Sequence, residues 1–184
     1  MNRLLLVSIA TLTAAACAPS YVYLPEENAT ATVAGRAAAR YAIPPEAPQG
    51  DVRVASFGVA KVTPQGSSES YNALHVRMVV SNESKTPWKL DTRDQLISIA
   101  NEGESRPIYA SADRDGLPVI EIAPQDKRTV DLFYPLPADM QSAKRIPDFD
   151  VIWKVDTGTR PIAERTPFQR LEVEPQLAAA GSYS

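Results

Sequence analysis

Two stretches of this chain alternate apolar and polar residues with period two, and no other feature constrains the fold as strongly. In residues 73–82 (ALHVRMVVSN) the apolar positions are Leu74, Val76, Met78 and Val80. The polar positions between and after them are His75, Arg77 and Ser81. In residues 148–156 (DFDVIWKVD) Phe149, Val151, Trp153 and Val155 alternate with Asp150 and Lys154. Because successive side chains of a strand face opposite ways, each stretch predicts a strand with one buried face.

Six further short apolar runs predict strands, each bounded by residues that favour turns. They are residues 52–62, 95–100, 107–110, 119–123, 129–134 and 168–173. Eight short strands over about 125 positions are typical of an antiparallel two-sheet sandwich. A barrel is the main structural alternative.

Composition agrees with an all-β domain and gives no sign of nucleic-acid binding. The 184 residues include 16 prolines but only 8 glycines, and many of the prolines separate apolar runs. This favours strands and loops over long helices. The formal charge of -3 gives no electrostatic reason to expect DNA or RNA as a partner.

Residues 1–16 have the three parts of an export signal. Arg3 supplies the basic tip, residues 4–12 are the apolar stretch LLLVSIATL, and residues 13–16 are small. The apolar stretch is shorter than the roughly 20 residues that a membrane-spanning helix needs. The segment therefore predicts a signal peptide.

The motif TAAAC, residues 13–17, resembles the lipobox of bacterial lipoproteins. In that family small residues precede a cysteine that is lipidated and becomes the new N-terminus; this chain has Ala14 where the pattern prefers leucine. The alternatives for Cys17 are a free thiol, a disulfide partner, or a position near an ordinary signal-peptide cleavage site. An internal disulfide is impossible because Cys17 is the only cysteine.

The resemblance implies that the mature chain begins at Cys17 and is held on a membrane by two or three acyl chains, which suffice for stable anchoring. Ala18 follows the cysteine, where aspartate is the usual inner-membrane retention signal of enteric-type bacteria. The expected location is therefore the cell envelope, on the outer membrane and facing the periplasm.

Residues 18–50 are rich in alanine and proline and have no sustained periodicity, so they predict a flexible tether with a span of about 30 Å. Within it, residues 29–33 (ATATV) are either part of the tether or a short added edge strand. Tyr21 and Tyr23 are expected either at the lipid headgroups or packed on the domain. The domain itself is predicted over residues 51–174, followed by a flexible tail, residues 175–184.

A second resemblance concerns residues 120–137 (IEIAPQDKRTVDLFYPLP), which look like the hairpin of immunoglobulin-like accessory domains in secreted bacterial proteins. With residues 79–91 (VVSNESKTPWKLD) it covers about half of the domain. Gln125 and Asp126 stand where the pattern usually has a glycine after the proline. The resemblance implies an Ig-like sandwich that binds, spaces or braces, and it implies no catalytic residues.

Metal sites are not predicted. His75 and Met78 suit copper chemically, but residues three apart on a strand face opposite ways and the chain has no second histidine. Asp113 and Asp115 before Gly116 resemble a fragment of a calcium loop, but Arg114 interrupts them. A hairpin tip with an Asp-Gly turn is the favoured interpretation of that segment.

Catalysis is not predicted either. No serine lies in a Gly-x-Ser-x-Gly elbow. The carboxylate pairs Asp91 with Asp94, and Glu102 with Glu104, could flank a glycosidic bond, but they lie in loops with lysine and arginine. Solvated turn charges are the default for such residues.

Trp88 is the candidate partner contact. It stands in the polar stretch KTPWKLD between Lys85 and Lys89, where an exposed indole could stack on a partner. The alternative is that it folds back to cap the open end of the sandwich. Trp153, in an alternating strand, is expected in the core.

Together these features predict a lipid-anchored, Ig-like sandwich without a cofactor that acts as a binding, structural or assembly module for an envelope protein or complex. The alternative is an envelope enzyme or a carrier of a small ligand or metal. An enzyme or carrier needs a concave pocket with converging polar groups, whereas an adaptor needs a flat apolar patch or an open sheet edge.

Overall fold

A computed structural model describes residues 20–63, 68–100, 102–111 and 116–173. Within them lie thirteen strands. They are β1 (Ser20–Pro25), β2 (Ala31–Val33), β3 (Arg36–Ala42), β4 (Gly50–Val62), β5 (Tyr71–Asn82), β6 (Trp88–Asp91), β7 (Leu96–Ile99), β8 (Glu104–Ser105), β9 (Tyr109–Ala110), β10 (Val119–Ile122), β11 (Asp126–Pro135), β12 (Phe149–Asp156) and β13 (Pro161–Val173).

The strands form two antiparallel sheets. The seven-stranded sheet has the order β1-β13-β12-β6-β10, with β7 pairing to β12 and β8 pairing to β7. The six-stranded sheet has the order β2-β3-β4-β5-β11-β9. The predicted antiparallel two-sheet sandwich is therefore confirmed.

The core lies between the two sheets and follows the predicted alternation. Leu74, Val76, Met78 and Val80 of β5 are fully buried, as are Val151, Trp153 and Val155 of β12. The indole Nε1 of Trp153 donates a hydrogen bond to Thr166 Oγ1 at 3.1 Å, so this large side chain is buried with its polar atom paired.

The second edge of β12 is shared between β7 and β6, and a short 3-10 turn at Thr92–Asp94 separates these two strands. The buried Gln95 side chain fills the gap. Its amide nitrogen donates to the carbonyls of Asp91 (2.7 Å) and Lys154 (2.9 Å), and its Oε1 accepts from the Lys154 N–H (3.0 Å). The Gln95 side chain thus makes hydrogen bonds with the backbone where no neighbouring strand pairs with β12.

The structure has five strands beyond the eight predicted, and three of them correct the predicted tether. Residues 20–25, 31–33 and 36–42 are β1, β2 and β3, of which β2 lies within the segment left open as an added edge strand. Strand β1 pairs with β13 over six residues, and β3 pairs with β4. The folded region therefore begins by Ser20 and not at residue 51.

Strands β1 and β3 were not predicted because each has apolar residues on both of its faces. In β1, Tyr23 is buried in the core while Val22 and Leu24, on the opposite face, are also apolar. In β3, Ala38 and Ala39 face opposite ways and are both fully buried. Without contrast between faces, period two does not show.

The predicted hairpin in residues 120–137 is also corrected. Strand β10 pairs with β6 in the seven-stranded sheet, whereas β11 pairs with β5 and β9 in the six-stranded sheet. The turn around Pro124 therefore carries the chain from one sheet to the other. The turn itself is tight, because the Asp126 N–H donates to the Ala123 carbonyl at 3.1 Å.

Candidate functional site

The outer face of the six-stranded sheet carries a group of aromatic and charged side chains. Because β5 and β11 alternate, the residues opposite their core positions face outward, and the register sets His75 beside Phe133 and Arg77 beside Asp131. We call this group the outer-face cluster. Its members are Phe57, His75, Arg77, Tyr109, Asp131 and Phe133.

Asp131 is the charged centre of the cluster. Its Oδ1 accepts hydrogen bonds from His75 Nε2 (2.7 Å) and Arg77 Nε (2.6 Å). Its Oδ2 accepts from a terminal Arg77 nitrogen (2.9 Å) and from Ser111 Oγ (3.1 Å). Arg77 therefore holds the carboxylate with two hydrogen bonds, which is the strong geometry for a guanidinium and a carboxylate.

The pKa values of this ion pair are displaced in opposite directions. Burial alone would raise the pKa of Asp131, but the hydrogen bonds and positive charges of His75 and Arg77 outweigh it and hold that pKa well below its usual range. The hydrogen bond to Asp131 raises the pKa of Arg77. Asp131 is therefore an ionised acceptor at neutral pH.

The aromatic members form a continuous row across the sheet. The His75 ring lies parallel to Phe133 with centroids 4.6 Å apart, and its centroid is 4.9 Å from that of Phe57. Tyr109 extends the row at 5.8 Å from Phe133. The Arg77 guanidinium lies 4.8 Å from the Phe57 centroid, a cation–π distance.

A β-bulge places Phe57 in this row. The register between β4 and β5 shifts between Ser56 and Gly58, so that Ser56 pairs with Val76 and Gly58 with His75. Phe57 is the extra residue, and the Gly58 N–H donates to Ser56 Oγ at 3.2 Å within the bulge. Bulges commonly re-aim a side chain in this way.

A groove adjoins the cluster at Phe57. It is lined by parts of β1, β3 and β4, including Tyr21, Arg36 and Gly58, and holds ≈160 Å³. Typical small-molecule pockets hold about 300 to 1,000 Å³. The groove is thus small for a drug-sized ligand.

The acidity of the Asp131 site predicts how stability varies with pH. Asp131→Asn should lower the free energy of unfolding by roughly 1 to 3 kcal/mol at pH 7, because Arg77 and His75 lose an ionised acceptor. The folded pKa lies below the unfolded value of about 3.9, so the contribution is complete above about pH 5 and is lost as pH falls. Urea denaturation at pH 7, 5 and 3 should give a difference that narrows with acid.

Asp126→Asn is the matched control on the same strand. Asp126 pairs with Arg128 at 3.1 Å, but its side chain is 38% exposed. Exposed ion pairs contribute little, so this variant should stay within about 0.5 kcal/mol of the wild type. Equal losses in the two variants, or a difference independent of pH, would contradict the proposed role of Asp131.

The structure corrects the interpretation of Trp88 as a partner contact. Its side chain is only 1% exposed and packs in the core between the sheets, as the capping alternative expected. Its Nε1 is buried without a hydrogen-bond partner. Trp88 is therefore a packing residue.

His75 and Met78 face opposite ways, as their spacing predicted. Met78 is fully buried in the core, whereas His75 lies on the outer face and contacts Asp131. Among the described residues, no group of three or more His, Cys, Asp or Glu side chains could hold a metal ion.

Three of the four acidic residues considered from sequence, Asp91, Asp94 and Glu104, are engaged with basic neighbours. Asp91 contacts Arg93 at 2.6 Å, and the hydrogen bond from Arg93 lowers the pKa of Asp91. Asp94 contacts Lys154 at 3.2 Å, and Glu104 lies 3.9 Å from Arg165. Cys17, Asp113 and Asp115 lie outside the described residues, so their predicted roles stay predictions.

Sequence reasoning missed the outer-face cluster as a unit. Its signal was present as two pairs with the spacing of one strand face, His75 with Arg77 and Asp131 with Phe133. The register between β5 and β11, which brings the two pairs together, cannot be read from either strand alone. Ser111 belongs to the same network, but its hydroxyl contacts Asp131 and not His75.

Comparisons with known proteins do not place this chain in a family. No protein-family model matches the chain, and no curated protein matches it significantly. A solved structure from Bacillus subtilis, described as a candidate lipoprotein (ycdA), aligns with a TM-score of 0.39 and 14% identity; the alignment covers 62% of this chain and 35% of that one. A structural-genomics target, SoR45, aligns with a TM-score of 0.35 and 18% identity over 72% of this chain and 94% of its own.

At this degree of similarity neither solved structure carries an argument about function. The chain spans about a third of the Bacillus protein. No helix within the described residues is long and apolar enough to cross a membrane.

Proposed function

We propose that this chain is a lipid-anchored protein of the cell envelope that acts as a non-catalytic binding or assembly module. Cys17 carries the lipid, and the outer-face cluster contacts a partner protein or complex. Ala18 in place of aspartate favours the outer membrane, with the domain facing the periplasm.

The observation that carries the binding role is the row of packed rings with a bidentate arginine–aspartate pair on the outer face of a sheet, where its members are partly exposed. Aromatic residues and arginine are enriched among the side chains that dominate protein interfaces. The cluster is also preorganised for binding, because hydrogen bonds to Asp131 already order the side chains of Arg77 and His75. A preorganised surface loses less conformational entropy when a partner binds.

The His75–Asp131 pair is the observation that would favour the enzyme alternative. A base held by a carboxylate is one part of a nucleophilic site. However, His75 contacts one carboxylate only among the described residues, and its ring is enclosed between Phe57 and Phe133. Ser111 bonds the carboxylate rather than the imidazole, so the nucleophile–base contact is missing from this network. The binding role fits the geometry better.

One experiment tests the anchor and the face together. Cells expressing the full chain are labelled with palmitate, and a photo-crosslinking amino acid replaces Tyr109, on the half-buried rim of the cluster. We expect label in the wild type, none in Cys17→Ser, and release of that variant from the membrane fraction. A discrete crosslinked product should form from position 109.

The matched control carries the same photo-crosslinker at Val119, which is 52% exposed on β10, in the other sheet. No product, or the same product, from positions 109 and 119 would count against the cluster as a binding face. Palmitate on the Cys17→Ser protein would refute the anchor independently.

A further inference from the structure

The lipid anchor proposed above and the first strand are separated by very little chain. Only residues 18 and 19 lie between Cys17 and Ser20, where β1 begins. Consecutive Cα atoms are about 3.8 Å apart, so the Cα atoms of residues 17 and 20 are separated by at most about 11 Å. If Cys17 is lipidated, the start of β1 is held beside the membrane.

The start of β1 belongs to a two-stranded ribbon at one end of the seven-stranded sheet. Strand β12 pairs with residues 161–168 of β13, whereas residues 169–173 continue beyond it. There β13 pairs with residues 20–24 of β1, so that Ser20 is opposite Val173. We call residues 20–24 and 169–173 the β1/β13 ribbon.

The outer face of the β1/β13 ribbon is largely apolar and at least partly exposed. Tyr23 and Phe168 face the core, so alternation turns their strand neighbours outward. The outward residues include Leu24, Leu171 and Val173, which are 36%, 38% and 41% exposed, and Val22, which pairs with Leu171. Val22 is directly opposite Leu171 and is next to Leu24 on the same face of β1, while the exposed Gln169, opposite Leu24, adds one polar side chain to this surface.

This apolar surface is not a random scatter of hydrophobic residues. Among the described residues five large hydrophobic side chains are exposed, and three of them belong to the β1/β13 ribbon. Single exposed apolar residues are ordinary, but a contiguous patch marks a contact site. If Cys17 is lipidated, this patch begins within a few residues of the lipid.

Basic and acidic residues of both signs lie near the ribbon, so no single-sign charged surface surrounds its apolar residues. Arg170 lies on the opposite face of β13, 5.5 Å from the Tyr21 ring, and donates to the Lys144 carbonyl at 2.6 Å. Its Asp148 neighbour accepts from the Arg170 N–H at 2.8 Å. The basic and acidic residues near the ribbon include Arg36, Lys144, Arg170, Asp148 and Glu172.

We propose that the outer face of the β1/β13 ribbon, formed by Val22, Leu24, Leu171 and Val173, inserts into the headgroup–acyl boundary of the membrane that holds the Cys17 lipid. The inference rests on the proposed anchor and adds an orientation to it. The ribbon's outer face belongs to the seven-stranded sheet, and Val22 and Leu24 also line the groove that adjoins the outer-face cluster at Phe57. Apolar side chains on one face of an element are the usual basis of such interfacial binding.

The test uses tryptophan as a depth probe in the lipidated full chain. Leu171→Trp protein is reconstituted in phosphatidylethanolamine–phosphatidylglycerol vesicles with and without brominated acyl chains. The native Trp88 and Trp153 are 1% and 0% exposed, and the wild type gives their background. We expect bromolipid to reduce the added emission roughly twofold, since the probe enters the acyl boundary.

Val119→Trp is the matched control, because Val119 is exposed on the same sheet at its opposite edge, four strands away. Its emission should be unchanged by bromolipid. Leu24→Trp provides a second probe on the ribbon if Leu171→Trp does not fold, which the midpoint of thermal unfolding reports. Quenching should persist when phosphatidylcholine replaces phosphatidylglycerol, since charge is not the basis of binding.

The outcomes distinguish the two proposals. Acyl chains on Cys17 by mass spectrometry, with unquenched probes at positions 24 and 171, would refute the ribbon contact and leave the anchor intact. A blue-shifted but unquenched probe would mean that protein, such as a second copy of the chain, covers the ribbon instead. Absence of acyl chains on Cys17 would refute the anchor and the ribbon contact together.

Discussion

A chain that begins at residue 51, where the sequence predicted the domain to begin, is expected not to fold. It lacks β1 and β3, so β13 and β4 each lose a neighbouring strand. It also lacks Tyr23 and Ile43, which are 3% and 0% exposed in the core between the sheets. Burial of each such side chain contributes about 1.5 to 3 kcal/mol.

Polar contacts add to this loss. The Tyr23 hydroxyl donates to the carbonyls of Ala143 (2.8 Å) and Ile146 (3.3 Å), and its burial raises the pKa of the phenol to about 12, with Arg170 opposing and Asp148 adding to the shift. Without Tyr23 those carbonyls and the β13 edge lose their partners. The free energy of unfolding of a domain is only about 5 to 15 kcal/mol. The combined loss of burial and hydrogen bonds is therefore comparable with the total stability of the domain.

Far-UV circular dichroism and urea denaturation test this expectation. A chain of residues 51–184 should show no cooperative transition, whereas a chain of residues 20–184 should unfold cooperatively. The longer chain is the control, because it also lacks the signal segment and the lipid. Cooperative unfolding of the shorter chain with a similar midpoint would restore the tether interpretation.

The predicted and observed strands differ in ways that show which parts of this fold can be predicted from a single sequence. Strands β5 and β12 were predictable because one face is core and the other polar, as with Met78 and Arg77. Strand β1 was not, because Val22 and Leu24 make its second face apolar too. If this second face contacts lipid, as proposed above, neither face of β1 is polar and the period-two pattern is lost.

Trp88 illustrates a different limit. Its sequence neighbours are polar and predict an exposed turn. In the structure, however, hydrogen bonds from Asn82 hold this turn against the domain. The Asn82 amide donates to the carbonyls of Thr86 (2.8 Å) and Ile122 (3.0 Å), and its Oδ1 accepts from the Ser84 N–H (2.9 Å). Asn82 thereby directs the chain so that β6 begins with Trp88 inside the sandwich. Hydrogen bonds between residues far apart in the chain cannot be predicted from the polarity of the residues around Trp88.

Gly50, at the start of β4, is where a single methyl group should be most damaging. A Cβ atom there would lie 2.0 Å from the Ser81 carbonyl oxygen and 2.7 Å from Cη2 of Trp88, and the backbone has φ +151°. The oxygen belongs to the backbone of β5, which pairs with β4 at this point and cannot move without breaking the ladder. We expect Gly50→Ala to cost more than about 4 kcal/mol, an exceptional effect for one substitution.

Gly103→Ala separates this clash from the ordinary cost of replacing a glycine. Gly103 has φ +78°, but a Cβ there would meet nothing within 4 Å, so only the cost of a positive φ, about 1 to 2 kcal/mol, applies. Urea denaturation should therefore give a much lower free energy of unfolding for Gly50→Ala than for Gly103→Ala. Adding Trp88→Ala to Gly50→Ala should not rescue it, because the closer contact, with Ser81, remains. Rescue would instead identify Trp88 as the obstacle, and equal costs for the two glycine variants would contradict the packing described at the start of β4.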